Sequence, residues 1–147
     1  MRLSPHFTLG ELTKSQTALR MGMDNDPDEE TIEAMTALCV EALEPIREHF
    51  GRPVVVNSGY RSPNVNRAIG GTSTSQHCKG EAADVEVPGL DNEELYLWAA
   101  ENIDFDQLIL EYYTGEESSG WVHVSHVSRE TNRRDRLRID KSGVRRD

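Results

Sequence analysis

Between residues 26 and 51 apolar side chains recur at Ile32, Met35, Cys39, Leu43, Ile46 and Phe50. Steps of three and four put them on one stripe of a helix, which must bury against a core. Asp26 is a good N-cap, Pro27 suits the first helical position and Glu29 completes a capping-box pattern. Gly51 marks the end. Pro45 has no amide hydrogen and crowds the preceding turn, so the pattern predicts a kink or restart near Ala42.

Beyond Gly51 the period shortens. Residues 53–58, P-V-V-V-N-S, read as a strand because β-branched side chains suit a pleated surface. Residues 59–76 are rich in Gly, Ser, Thr, Asn and Pro and form a long loop, broken by a short helix near Pro63 to Ala68. A loop of that length in a small domain is commonly functional. Ala82 to Val87 is the next strand. Asp91 with Glu94 opens a second capped helix, to about Glu101. Residues 105–113 and 121–127 are strands joined by T-G-E-E-S-S-G, and Leu137 to Ile139 adds an edge strand. Near the start, residues 8–13 predict a helical turn and Ser15 to Asn25 an irregular stretch. Helices come first and strands gather later. The expected class is α+β: a mainly antiparallel sheet flanked by helices.

Composition narrows the function classes. The 147 residues suit one domain with one core, 1–147, of which 129–147 is a basic C-terminal segment with an edge strand and a frayed end. With 36% hydrophobic and 29% charged residues the chain is too apolar and too patterned for disorder. No apolar run approaches the roughly 18 residues of a membrane span, so no membrane insertion is expected. The N-terminus lacks the apolar run of a signal peptide, which predicts synthesis in the cytoplasm. Net charge is −10; residues 129–147 hold eight Lys/Arg against four Asp/Glu, leaving the preceding chain at −14. An acidic body argues against a nucleic-acid partner, which needs a basic face. The basic tail offers weak contact with an anionic wall polymer, or simply a solvated edge. Cys39 and Cys78 stand outside any C-x-x-C pair, which argues against a thiolate metal site. A monomer is expected.

Three residues carry candidate chemistry: His77, Asp84 and His123. The pair H-x-x-x-x-x-x-D is weak by spacing alone. Its context is stronger: Gly80 permits a turn, and Asp84 falls inside the apolar run A-A-D-V-E-V. A buried carboxylate is costly unless paired or metal-bound. His123 lies mid-strand in W-V-H-V-S, sharing a face with Trp121 and Ser125. Two readings of it stand, a hydrogen-bonded core residue or a ligand. Two imidazoles and a carboxylate suit zinc, and three protein ligands leave a fourth position open, as in catalytic sites.

The segments S-G-Y-R-S-P-N-V-N-R-A-I-G-G, S-Q-H-C-K-G-E-A-A-D and W-V-H-V-S together resemble the zinc D-Ala-D-Ala carboxypeptidase family, most closely its phage-type peptidoglycan peptidases. The wider group includes the zinc domain of Sonic hedgehog. F-T-L-G-E-L-T-K-S and L-E-P-I-R-E-H-F-G also fit, so the likeness covers about residues 5–127. The resemblance implies one Zn²⁺ on His77, Asp84 and His123, and a role for Arg61 in steadying substrate or oxyanion, for which a planar fork of donors is suited. Ser75 and Gln76 are expected to bind substrate or orient ligands. Many relatives place Glu three residues before the last His, or His two before it. Gly120 and Trp121 stand there instead. Glu111, ending the strand that pairs with the His123 strand, is the candidate general base; an exposed hairpin charge is the alternative.

The implied function is hydrolysis of peptide bonds in peptidoglycan stem peptides, as carboxypeptidase or endopeptidase, after release to the cell wall in phage lysis. Two other readings share the fold: a non-catalytic zinc-binding interaction module, motivated by Gly120, and a structural virion component.

Overall fold

A computed structural model describes residues 1–147 and places six strands in one sheet. Their order is β3 (Val55–Ser58), β4 (Ala82–Glu86), β6 (Trp121–Ser125), β5 (Gln107–Glu111), β7 (Asp135–Asp140) and β8 (Gly143–Arg146). Neighbours run antiparallel except β5 and β7, which are parallel. Two short strands, β1 (Arg2–Ser4) and β2 (Phe7–Thr8), pair separately, and the short helices α1 (Leu9–Thr13) and α5 (Pro63–Ala68) lie where the sequence predicts them. This is the expected α+β class with a mainly antiparallel sheet.

Strand alternation gives the sheet two unlike faces. Ala83, Val85, Leu108, Leu110, Val122 and Val124 point to the back and are at most 2% exposed. They pack against the apolar stripe of the long helical segment and against α6 (Asn92–Asn102) in one core. Each of the Val and Leu side chains, fully buried, contributes about 1.5–3 kcal/mol relative to leaving it exposed. The front face carries Asp84, Ile109, Glu111 and His123, which line an open cleft.

The long segment consists of α3 (Glu29–Leu38), a π-helical turn over Cys39–Leu43, and α4 (Glu44–Phe50). The wide turn is the answer to Pro45: it lets the Glu44 amide reach the Cys39 carbonyl and sets the proline in the first turn of α4, where its missing N–H matters least. Gly51 ends α4 in the left-handed conformation. The N-cap is Asp28, two residues later than Asp26. Its carboxylate accepts from the Thr31 amide at 2.8 Å, and Glu29 and Glu30 then occupy the positive end of the helix.

Two further expectations change. Ser15 to Asn25 is not irregular throughout, because α2 (Gln16–Met21) forms there. The Ser15 hydroxyl caps it and Gly22 closes it, so end chemistry outweighs the polarity of the segment. The C-terminal segment is a paired hairpin rather than one edge strand with a frayed end. The Asp147 amide donates to Arg136 O, and its carboxylate accepts from Tyr96 Oη and Arg138 Nε. The basic excess of this segment is largely spent internally: Arg129, Arg133, Arg134, Arg138, Arg145 and Arg146 all face carboxylates. No helix is long and apolar enough to cross a membrane.

Candidate metal centre

Asp84 and His123 are direct cross-strand partners on β4 and β6, so the sheet register alone puts them side by side. His123 Nδ1 lies 3.0 Å from Asp84 Oδ1. His77 comes from outside the sheet, on a 3₁₀ turn over Gln76–Lys79. The Ser75 hydroxyl caps that turn through the His77 amide, and Gly80 reverses the chain into β4. His77 Nε2 then sits 3.5 Å from Asp84 Oδ1. One ligand-type atom from each of the three residues falls within 4.8 Å of the other two.

The donor set fits a zinc ion on the geometry of His77. Its buried ring directs Nδ1 to the Gly59 carbonyl at 2.8 Å. A carbonyl only accepts, so Nδ1 carries the proton and Nε2 presents a lone pair to the cluster. Burial opposes ionisation of Asp84, but the hydrogen bond from His123 and the neighbouring His77 ring overcome it and hold the carboxyl well below the usual range. Two imidazoles and one carboxylate, all largely shielded from solvent, are the ligand types zinc takes.

The S-G-Y-R-S stretch explains itself here. A Cβ on Gly59 would lie 2.3 Å from the Leu12 carbonyl oxygen, so only glycine lets the loop pass. The Tyr60 amide donates to that same Leu12 oxygen, and the Arg61 amide donates to His77 O. Gly59 and Arg61 thus grip His77 from two sides.

Arg61 lines the cleft beside the cluster. Its Nη2 reaches Ser75 Oγ at 3.4 Å, and its buried Nε has no partner. Burial disfavours its charge, while Asp84, Cys78 and Glu111 favour it. Ser75 Oγ accepts from both the His77 amide and Arg61. The Gln76 side chain donates through Nε2 to Asp106 Oδ2 at 3.0 Å. Both expected substrate contacts therefore hold neighbouring groups in place, although both line the cleft.

Glu111 ends β5 opposite Trp121, and Trp121 Nε1 donates to its Oε2 at 2.8 Å. Burial and the nearby Asp84 charge raise its carboxyl above the ordinary value, against His123 and Trp121. The structure also accounts for Gly120, which has φ +67°. A Cβ there would stand 2.1 Å from the Glu111 carbonyl oxygen. No side chain fits at position 120 on this backbone, and the carboxylate of the cleft comes from β5. Glu116 and Glu117 stay exposed on the connecting loop. His126 turns away, with Nδ1 toward the Asp104 carbonyl and Asn132.

A cleft of about 1070 Å³ joins these groups. Part of its wall comes from residues outside the three motifs. Asp106, 2% exposed, accepts from the Arg133 amide, Nε and Nη2 and from Gln76. This chain of bonds ties the C-terminal segment to the turn bearing His77. Hydrogen bonds from Arg133 hold the Asp106 carboxyl below the usual range. Its contribution to stability is therefore complete above the unfolded carboxyl value, near 3.9, and is lost as pH falls through the lower folded value. Asp106→Asn is expected to cost about 1–3 kcal/mol at neutral pH. Denaturant unfolding should show that difference shrinking as pH is lowered toward about 3.

Residues 5–125 match the family model described as Peptidase M15. Over 121 residues the chain is 30% identical to the zinc D-Ala-D-Ala carboxypeptidase of Streptomyces albus G, covering 82% of this chain and 45% of that protein. The chain thus spans less than half the length of that relative.

Proposed function

The chain belongs to the peptidase M15 family, and from that membership we propose that it is a zinc peptidase acting on the stem peptides of bacterial peptidoglycan. In its finer form the reading is an enzyme of phage-mediated wall lysis. The observation that carries the peptidase reading is the convergence of His77, Asp84 and His123 in a cleft that also holds Glu111 and Arg61.

Zinc held by His77 Nε2, Asp84 and His123 would polarise the scissile carbonyl and acidify a water molecule toward pKa roughly 7. The chain's own residues supply the rest. Glu111 accepts a proton from the attacking water as its oxygen bonds to the carbonyl carbon. It returns that proton to the amine as the C–N bond breaks. Trp121 fixes one oxygen of Glu111 and leaves the other for this exchange. The raised carboxyl value brings the base closer to the pH at which it works. Arg61, whose guanidinium makes one long contact, Nη2 to Ser75 Oγ, binds a substrate carboxylate or the developing oxyanion. Ser75 and Gln76 serve by orienting Arg61 and the His77 turn.

The zinc relative carries D-Ala-D-Ala carboxypeptidase in its name, and Arg61 gives a carboxylate-terminated substrate a natural anchor. Terminal cleavage is therefore the form we favour. Mass spectrometry of zinc-loaded protein incubated with stem pentapeptide and with purified wall tests it. Release of a single terminal residue is expected. An internal cut would move the assignment to endopeptidase, and no product from either substrate would overturn it. A non-catalytic module was suggested by Gly120; Glu111 supplies a carboxylate in the same cleft, which supports turnover instead.

A further inference from the structure

Residues 126–147 lie beyond the region matched to the family, yet they build one side of the cleft. The parallel register of β5 and β7 pairs Ile109 with Leu137 and Glu111 with Ile139. The antiparallel register of β7 and β8 then pairs Ile139 with Val144. Paired residues on neighbouring strands share a face. Ile109, Leu137, Ile139 and Val144 therefore form an apolar row beginning next to Glu111 and running outward, and all of them line the cleft. Leu137 at its root is 8% exposed, while Val144 at the sheet edge is 64% exposed. The row is a shelf with a packed base and a bare rim.

The charges around the shelf are already committed. Arg133 is bound to Asp106, and both Arg146 and Gln107 to Asp135. The shelf thus offers aliphatic contact and no free ion. Arg61 lines the cleft across the sheet, after β3, with a guanidinium that makes one long contact, to Ser75 Oγ. The two ends of the cleft ask for different things: a carboxylate at one, aliphatic carbon at the other.

We propose that the β7–β8 hairpin forms a substrate subsite that holds the small aliphatic side chains of a peptide on the Glu111 side of the cleft, while the peptide's carboxylate end lies toward Arg61. The inference rests on the peptidase reading for the identity of the ligand. It makes the hairpin a specificity element for peptide length: a longer chain reaches the shelf and a dipeptide does not. A row flush with the site and continuous with Glu111 is placed for the substrate itself rather than for a protein partner.

The test uses zinc-loaded full-length protein and two N-acetylated peptides ending in D-Ala-D-Ala, a dipeptide and a pentapeptide. Val144→Ser removes aliphatic surface at an exposed position, so folding is not at stake. It should lower the pentapeptide-to-dipeptide ratio of kcat/KM by roughly three-fold to ten-fold, mainly through KM. Val144→Ile should restore the ratio. In parallel, the methyl resonances of Leu137, Ile139 and Val144 in the inert Glu111→Gln protein should shift on titration with the pentapeptide and not with the dipeptide. An unchanged ratio with unmoved methyls, in a protein that cleaves normally, overturns the shelf and leaves the peptidase reading standing. Methyl shifts by the pentapeptide alone, in a wild-type protein that cleaves nothing, would keep the shelf and sink the peptidase reading.

Discussion

Glu111→Gln is expected to lower kcat by about 10²–10⁴-fold, the range that a positioned general base contributes. The substitution is nearly isosteric. The amide oxygen of glutamine still accepts from Trp121 Nε1, so the 2.8 Å contact and the packing of the indole ring survive. What is lost is the capacity to take a proton from water. Because Glu111 lies outside the triad, bound zinc should stay at one ion per chain and melting should hardly move. Steady-state kinetics on a stem peptide, beside a metal assay on the same sample, checks both halves. Activity within about three-fold of wild type would remove Glu111 from the reaction and return the base to another group. A loss of metal along with activity would mean that the carboxylate holds the ion.

Removal of zinc should have an effect at least as large. Lewis-acid polarisation is worth several kcal/mol, which corresponds to a rate loss on the order of 10³-fold or more. Chelation should abolish cleavage and added zinc should restore it. His77→Ala should be inactive even in excess zinc, because it removes the imidazole that Gly59 and Arg61 hold in place. Asp84→Asn keeps the shape but gives up the charge that balances the ion. Metal binding also draws free energy from the folded state alone, so the melting temperature of wild type should drop on chelation. Wall cleavage that persists after the metal has been assayed as gone would refute the zinc mechanism.

Much of this arrangement was legible in the chain. The period-two runs of residues 82–87 and 121–125 predicted strands, and a carboxylate inside an apolar run predicted a partner. Adjacency of Asp84 and His123 then followed from strand pairing, although their register could not be read in advance. Local competition hid other features. Asp26 and Asp28 are equally good caps by composition, and only the reach to Thr31 decides. Ser15 and Gly22 mark a helix too short to show periodicity. Main-chain contributions were invisible, because no residue type announces that the Gly59 carbonyl will orient His77. The charge count of residues 129–147 misled for a related reason: a tally of arginines does not reveal that Asp106, Glu93 and Glu41 wait opposite them. Residues 137–139 did signal a strand, but not which strand it would join.

The pairing of Asp84 with His123 has a consequence for assembly of the sheet. Side chains on a strand change sides with every residue, so a slip of one place between β4 and β6 would turn one of the two toward the hydrophobic interior. A metal ion can be gripped only in the correct alignment. Once captured, it penalises every shifted pairing in the middle of the sheet, and so acts as a proofreader of strand alignment as well as a reagent.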